Sequence, residues 1–265
     1  MILHERHREI LNLLSASGIV YTSQLKERFG TSFETIRKDL QYLEQQGLLA
    51  RVHGGAVPAS DTPPSPQPTV PSLALPPEFL NRYRNHGEQK HQIALKACEL
   101  IQENTCIALD TGTTSYELSL LLLERFSKLT IVTNSMINAF LLSQNPGFTV
   151  IVTGGIISSR EKALISELAF PMLEHVNIDI MFLTTCGIDL ETGIAEQTME
   201  EIAIHKKMAQ RSKKLVVLAD SSKFSRSASF HAYDMQEISS IITDTGLDPS
   251  VILSCRSKGI ELIIA

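Results

Sequence analysis

No apolar run in this sequence approaches the roughly 20 residues needed to cross a bilayer. The start is equally uninformative about export. Met1 to Arg8 runs into an amphipathic helical pattern, with no basic-then-apolar signal. Cysteine is sparse: Cys98, Cys106, Cys186 and Cys255 are scattered, with no pair at metal-ligand spacing. Reduced, buried thiols in a cytoplasmic protein are the expectation, with no bound metal and no cofactor. Proline is nearly missing outside one stretch, because residues 58–77 hold eight of the eleven. That stretch, filled out with Ser, Thr and Gln, cannot pack a core and reads as an extended, semi-rigid linker. It divides the chain into 1–57 and 78–265. No internal repeat is visible.

Residues 23–57 carry the most legible pattern. A short helix is predicted over 23–29, capped by Ser23, with Leu25 and Phe29 inward; Gly30 ends it by adopting positive φ. Ser32 then caps a longer helix in which Ile36, Leu40 and Leu43 recur at helical spacing. Its other face presents Phe33, Glu34, Thr35, Arg37 and Lys38. Gly47 closes the helix, and residues 49–55 alternate into a Gly54-Gly55 turn, as a small hairpin requires. A helix over 5–17 supplies Ile10, Leu11, Leu13 and Leu14 as backing, and leaves Glu5, Arg6, Arg8 and Glu9 to solvent. This is the layout of a winged helix-turn-helix, whose second helix enters the major groove of double-stranded DNA. Ser32, Phe33, Thr35, Arg37 and Lys38 would read the groove, with Arg51, His53 and Gly54 on the wing.

The formal net charge is −5, but its distribution matters more. Residues 1–57 carry 7 Lys and Arg against 6 Asp and Glu, while the remainder carries 17 against 23. A nearly neutral reading head binds a duplex weakly by itself. Useful affinity therefore calls for a homo-oligomer, dimer or tetramer, spanning spaced half-sites.

Beyond residue 78 the pattern changes to strands alternating with helices. Strands are predicted at 106–109, 129–133, 149–153, 180–184, 215–219, 240–243 and 262–264. Helices are predicted at 86–103, 115–125, 136–144, 162–175, 199–211 and 249–258. Apolar strands without alternation indicate a mainly parallel α/β sheet covered on both faces. In such sheets ligands sit beyond the carboxyl ends of the strands. Polar, glycine-bearing loops stand there: Asp110-Thr111-Gly112-Thr113-Thr114, Thr133-Asn134-Ser135, Thr153-Gly154-Gly155, Cys186-Gly187-Ile188-Asp189 and Asp220-Ser221-Ser222-Lys223. Glycines and helix starts suit an anion. Asp110 and Asp189 suit sugar hydroxyls, Lys223 suits a phosphate, and Glu201 and Lys206 on one helix are placed to close over a ligand. His205 reads as a partly buried helix residue and Cys186 as packing.

Taken together, these motifs resemble the DeoR family of transcriptional regulators over essentially the whole chain. The resemblance rests on Thr35-Ile36-Arg37-Lys38-Asp39-Leu40, Leu43, Gln46-Gly47 and Arg51-Val52-His53-Gly54-Gly55-Ala56. In the second domain it rests on Arg82, Asn85, Lys90, Ile93-Ala94, the loops above and Asp220-Ser221-Ser222-Lys223-Phe224. It implies a sensing domain similar in fold to ribose-5-phosphate isomerase and CoA transferases, a phosphorylated sugar as effector, and an oligomeric repressor of a carbohydrate-use operon. Thr184 and Cys186 stand where the family commonly has Gly and Asp, and Ser166 where Gly is frequent. A rival expectation is an isomerase-like enzyme using Asp110, Glu201 and Lys206, although fold likeness alone is poor support for chemistry.

Overall fold

The computed structural model describes residues 3–52, 54–59, 75–224, 226 and 228–265. The chain divides into two compact units, 1–72 and 73–265. Most of the proline-rich stretch lies outside the described residues, as does His53.

The first unit runs α1 (Leu3–Ser17), β1 (Val20–Tyr21), α2 (Thr22–Phe29), α3 (Phe33–Gln45), β2 (Leu49–Val52) and β3 (Gly55–Pro58). Its core is aliphatic: Ile10, Leu14, Val20, Leu25, Ile36, Leu40, Leu43 and Leu49 are all buried. Gly30 adopts φ 60° and stops α2, where a side chain would be strained. Ser32 caps α3, its hydroxyl accepting from the Thr35 amide at 3.2 Å. Ser23 is not the cap of α2. The helix starts one residue earlier, and the Thr22 hydroxyl instead donates to the Gly54 carbonyl at 3.1 Å, tying the wing turn to the helix start. The wing is also more than a hairpin, since β1 pairs with β3 to make a sheet ordered β1-β3-β2. Val20 approaches Gly55 so closely that a Cβ there would collide with the Val20 carbonyl.

The second unit opens with α4 (Pro77–Arg84) and α5 (Gly87–Cys98). There follow β4 (Cys106–Leu109), α6 (Thr113–Arg125), β5 (Thr130–Thr133), α7 (Met136–Leu142) and β6 (Thr149–Val152). Next come β7 (Ile156–Ser158), β8 (Ala163–Ile165), α8 (Phe170–Leu173), β9 (Ile178–Thr184), β10 (Gly187–Asp189) and β11 (Gly193–Glu196). The chain ends with α9 (Met199–Gln210), β12 (Ser212–Leu218), β13 (Phe230–Tyr233), β14 (Ser240–Thr243), α10 (Pro249–Ser257) and β15 (Leu262–Ile264).

All seven strands expected from the sequence form one sheet, ordered β15-β14-β12-β9-β4-β5-β6, and every pair in it is parallel. Strand side chains alternate between faces, so each strand feeds two cores. Ala108, Met181, Leu183 and Val217 enter one, together with Ile204 and Met208 of α9. Ile107, Leu109, Phe182 and Leu218 enter the other, with Ile93 of α5 and Leu118 of α6. Among the described residues no helix is long and apolar enough to cross a membrane.

The predicted helix over 162–175 is not one helix. Gly154 and Gly155, at φ 77° and 106°, turn the chain into β7, which pairs antiparallel with β8. Pro171 lacks an N–H and is tolerated only at a helix start, so it confines helix to the four residues of α8. The antiparallel sheet β10-β11-β13 and helix α4 were also not anticipated.

Candidate functional site

Two sets of side chains stand out, one in each unit. On α3 the apolar positions face inward, and the residues between them form a polar surface. The Ser32 and Thr35 hydroxyls lie 2.9 Å apart at its N-terminal end. Phe33, half-buried, carries the Lys26 ammonium 4.3 Å over its ring, a cation–π contact that orders both. Arg37 and Lys38 are exposed, Lys38 paired with Glu34 at 2.9 Å across one turn. On the wing, the Arg51 guanidinium and its own amide both reach the Glu44 carboxylate, at 2.8 and 3.0 Å. Gly54 takes φ 74° in the turn.

The expectation that Arg6 is solvated is overturned. Arg6 is 8% exposed, and its guanidinium makes a two-pronged pair with Asp39, at 2.5 and 2.9 Å. His7 Nε2 reaches the same carboxylate at 2.9 Å, and its ring stacks on Tyr42. Asp39, one step past Lys38 on the buried side of α3, thus fastens the reading helix to α1.

In the second unit the parallel sheet brings the carboxyl ends of β4, β5, β6, β9 and β12 to one edge. Gly112 is the N-cap of α6, with Thr113 and Thr114 buried in its first turn. Asn134 and Ser135 follow β5, and Ser135 caps α7 by accepting from the Asn138 amide at 3.1 Å. Gly154 and Gly155 follow β6, where a Cβ on Gly155 would stand 2.8 Å from that of Ser166. Lys223 sits in a short 3₁₀ turn after β12, and its charge acts on Glu196, Cys186 and Lys90.

Two of the residues expected at the ligand, Asp110 and Asp189, also hold their own loops in place. Asp110 is buried, and its carboxylate accepts four hydrogen bonds: from the Gly112 amide (3.2 Å), the Ser115 hydroxyl, the Thr184 amide (2.7 Å) and the Thr184 hydroxyl (2.6 Å). With all four acceptor positions met within the chain, it pins the loop after β4 to the end of β9. Asp189 sits at the tip of the β10–β11 hairpin. It accepts from the Glu191 and Thr192 amides, both at 2.8 Å, which depress its pKa. Gly187, at the other end of β10, lies where a side chain would strike the Arg226 carbonyl.

His205 is 2% exposed, correcting its reading as a partly buried helix residue; its Nε2 lies 3.4 Å from the Asn134 amide nitrogen. Asn134 Oδ1, His205 Nδ1, Asn138 Oδ1, Thr153 Oγ1, Glu196 Oε1 and Tyr233 OH are buried and have no hydrogen-bond partner among the described residues. Glu201 accepts from the Thr198 hydroxyl at 3.0 Å, and burial raises its pKa. Lys206 lies over the Tyr233 ring, 5.7 Å from its centroid. Arg82 of α4 makes a two-pronged pair with Glu161, and Lys90 of α5 is buried on the Arg82 and Asn85 carbonyls, its pKa lowered to about 8 by burial. A sequence cannot show these partners, which lie up to 79 positions away.

Burial and the neighbouring Asp110 push Glu196 up to about 8 from an ordinary 4.5. A carboxyl with a raised folded-state pKa costs stability as pH climbs from the unfolded to the folded value. Glu196→Gln is therefore expected to melt progressively higher than the parent between about pH 4.5 and 8, with the difference constant above that window. Parallel melting curves across pH 5–9 check this.

Family models match both units: a DeoR-like helix-turn-helix domain over residues 6–62 and a DeoR C-terminal sensor domain over residues 85–245. The HTH-type transcriptional regulator GlpR of Haloferax volcanii is 32% identical, over 99% of this chain and 98% of its own. The glycerol-3-phosphate regulon repressor of Escherichia coli K12 is 30% identical, over 97% of each. Among solved structures, ribose 5-phosphate isomerase A from Neisseria gonorrhoeae aligns over 51% of this chain and 52% of that one, at 20% identity and a TM-score of 0.37. With a reading helix and wing in one unit, a parallel sheet with a polar edge in the other, and both family models matched, the chain belongs to the DeoR family of DNA-binding transcriptional regulators.

Proposed function

We propose that this regulator is a repressor of a carbohydrate-use operon, released from its operator by a small phosphorylated, polyhydroxylated metabolite held at the carboxyl edge of the parallel sheet. The observation that carries the reading is the set of buried polar atoms without partners, Asn134 Oδ1 and His205 Nδ1 on neighbouring side chains and Glu196 Oε1 within reach of the Lys223 charge. Leaving such a group unpaired costs about 1–3 kcal/mol, a cost that a hydroxyl-rich ligand would offset. The α6 start at Gly112, Thr113 and Thr114, with Asn134, Ser135, Gly154, Gly155 and Lys223, would take the anion; Glu201 and Lys206 would flank it. The name of the E. coli relative, a glycerol-3-phosphate regulon repressor, favours a phosphate-bearing effector. Residues 1–57 would read DNA, residues 78–265 would sense and oligomerise, and the proline-rich stretch would transmit the change in geometry. The near-neutral charge of residues 1–57 supports paired heads on spaced half-sites. A coupling of about 1–3 kcal/mol between the two sites suffices for release.

In the reading head Ser32, Phe33, Thr35, Arg37 and Lys38 would face base edges and phosphates, with Arg51, His53 and Gly54 on the wing. Arg37→Ala is expected to weaken binding to a selected operator duplex by about 1–3 kcal/mol, measured at a temperature where the variant is folded by circular dichroism. Fluorescence anisotropy at fixed salt measures it; wild-type affinity in that variant refutes the assignment of the groove-reading face.

A further inference from the structure

Helix α4 follows the proline-rich stretch in the chain and packs on elements that start at the proposed effector loops. Its apolar side belongs to a small cluster apart from the two main cores: Phe79, Tyr116 and Ile137, flanked by Tyr83. Phe79 and Tyr83 both meet the Tyr116 ring edge-on, with centroids 5.6 and 5.3 Å apart. Tyr116 lies in the first turn of α6, its amide donating to the Gly112 carbonyl at 3.0 Å. The Tyr83 hydroxyl adds a 2.6 Å bond to the Glu117 carboxylate on the same helix. Ile137 is the second residue of α7, two positions after the Ser135 cap.

Charged residues of α4 meet the tip of the β7–β8 hairpin. The two prongs of the Arg82–Glu161 pair measure 3.0 and 2.5 Å. Glu78, one turn earlier, accepts from the Arg160 guanidinium at 3.3 Å. That tip is itself bonded to the loop after β5. The Met136 amide donates to the Lys162 carbonyl at 3.0 Å, and the Leu164 amide to the Asn134 carbonyl at 2.7 Å. At the C-terminal end of α4, the Lys90 ammonium donates to the Arg82 and Asn85 carbonyls and pins the helix to α5. The N-terminal end leads, through Pro77, back into the stretch that joins the two units.

We propose that α4 is the lever that couples the sensing site to the reading head, with the Arg82–Glu161 pair as its latch to the β7–β8 hairpin. The inference rests on the sensing site proposed above and names how occupancy of that site is passed on. An effector held between Gly112–Thr114 and Asn134–Ser135 draws on the starts of α6 and α7 and on the hairpin tip. Those are the elements α4 rests on, so the helix shifts with them about its pinned end. Coupling of this kind travels through packed side chains and ion pairs that can take two discrete arrangements. The latch suits that role. Its side chains are 47% and 15% exposed, so breaking it costs the fold little. A pair that served stability alone would leave the coupling untouched when cut.

The test compares operator affinity with and without saturating ligand, by fluorescence anisotropy of the full-length chain on a duplex obtained by in vitro selection. The ligand is the tightest binder among triose, pentose and hexose phosphates in calorimetry. In the wild-type chain it is expected to weaken operator binding by about 5- to 150-fold. In Arg82→Gln and in Glu161→Gln that ratio is expected to fall towards one, while affinity for the ligand stays close to that of the wild-type chain. Exchanging the charges, Arg82→Glu with Glu161→Arg, is expected to recover part of the ratio. Tyr83→Phe removes a single oxygen and cuts the separate link to Glu117, and is expected to lower the ratio with the latch intact. Unchanged ratios in Arg82→Gln, Glu161→Gln and Tyr83→Phe would overturn the proposal and leave the sensing site standing. Loss of ligand binding in Arg82→Gln would also overturn it, because Arg82 would then be a contact of the ligand and not a link. A wild-type chain that binds none of the compounds, or whose operator affinity no bound compound changes, would remove the sensing reading and the lever with it.

Discussion

Asp39→Ala is expected to abolish DNA binding by unfolding the first unit, though Asp39 lies on the buried side of the reading helix. Arg6, His7 and Asp39 are 8%, 7% and 3% exposed, and both basic groups close on one carboxylate. Removing one partner of a buried pair leaves an uncompensated charge and costs about 3–5 kcal/mol. A unit of this size has a total stability of only about 3–9 kcal/mol, at 0.05–0.15 kcal/mol per residue. Calorimetry should show the transition of the first unit lost or shifted down by more than 10 °C, roughly 4–8 °C per kcal/mol for a domain this small, while the transition of the second unit stays in place. Replacing Arg6 and Asp39 together by apolar residues of similar volume should recover much of the loss, because the pair contributes little net stability over a packed apolar contact. A fully folded first unit in Asp39→Ala contradicts the assignment.

Gly112→Ala should uncouple the sensor while leaving the reading head intact. Backbone strain is not the reason, since φ at Gly112 is −73°. A Cβ at this position would collide with the Thr184 hydroxyl and stand 2.6 and 2.7 Å from Thr184 Cβ and Cγ2. Thr184 cannot move freely, because its amide and hydroxyl both donate to Asp110. Relief of the clash must therefore break the link that joins the loop after β4 to the end of β9. We expect a loss of about 1–3 kcal/mol from overpacking, no measurable binding of the effector, and operator binding that no longer responds to it. Thr184→Ala in the same chain should restore part of the stability by making room. Wild-type effector affinity in Gly112→Ala would show that the loop after β4 is not part of the site.

The order of elements was legible wherever hydrophobic pattern decides it. The seven strands of the parallel sheet are short, mostly apolar runs, buried through the centre of the sheet and open at its edge strands β6 and β15, and α3 repeats Ile36, Leu40 and Leu43 on one side. Short strands with mixed residues were not legible. Residues 154–165 contain a Gly-Gly turn and two three-residue strands, and strands that short have no period to read. Polar residues were the least legible, because their roles are set by partners far along the chain. Arg6 looks like any surface arginine until Asp39 is placed beside it, 33 positions on. Asp110 has the sequence context of a ligand and the structure of a fastener, satisfied by Thr184, 74 positions away. His205 looks like a helix surface residue until α9 sets it against Asn134. The start of α2 lies one residue before the expected one, at Thr22, whose hydroxyl donates to the Gly54 carbonyl 32 positions away.

Release from an operator by an effector requires coupling between the sheet edge and the reading head. The most direct measurement is fluorescence anisotropy of the full-length chain on a duplex obtained by in vitro selection, titrated with the sugar phosphate that binds it most tightly in calorimetry. High-affinity, salt-dependent duplex binding is expected to weaken by about 5- to 150-fold at saturating ligand, with no weakening in Gly112→Ala. A ligand that saturates the chain and leaves operator affinity unchanged would contradict this coupling.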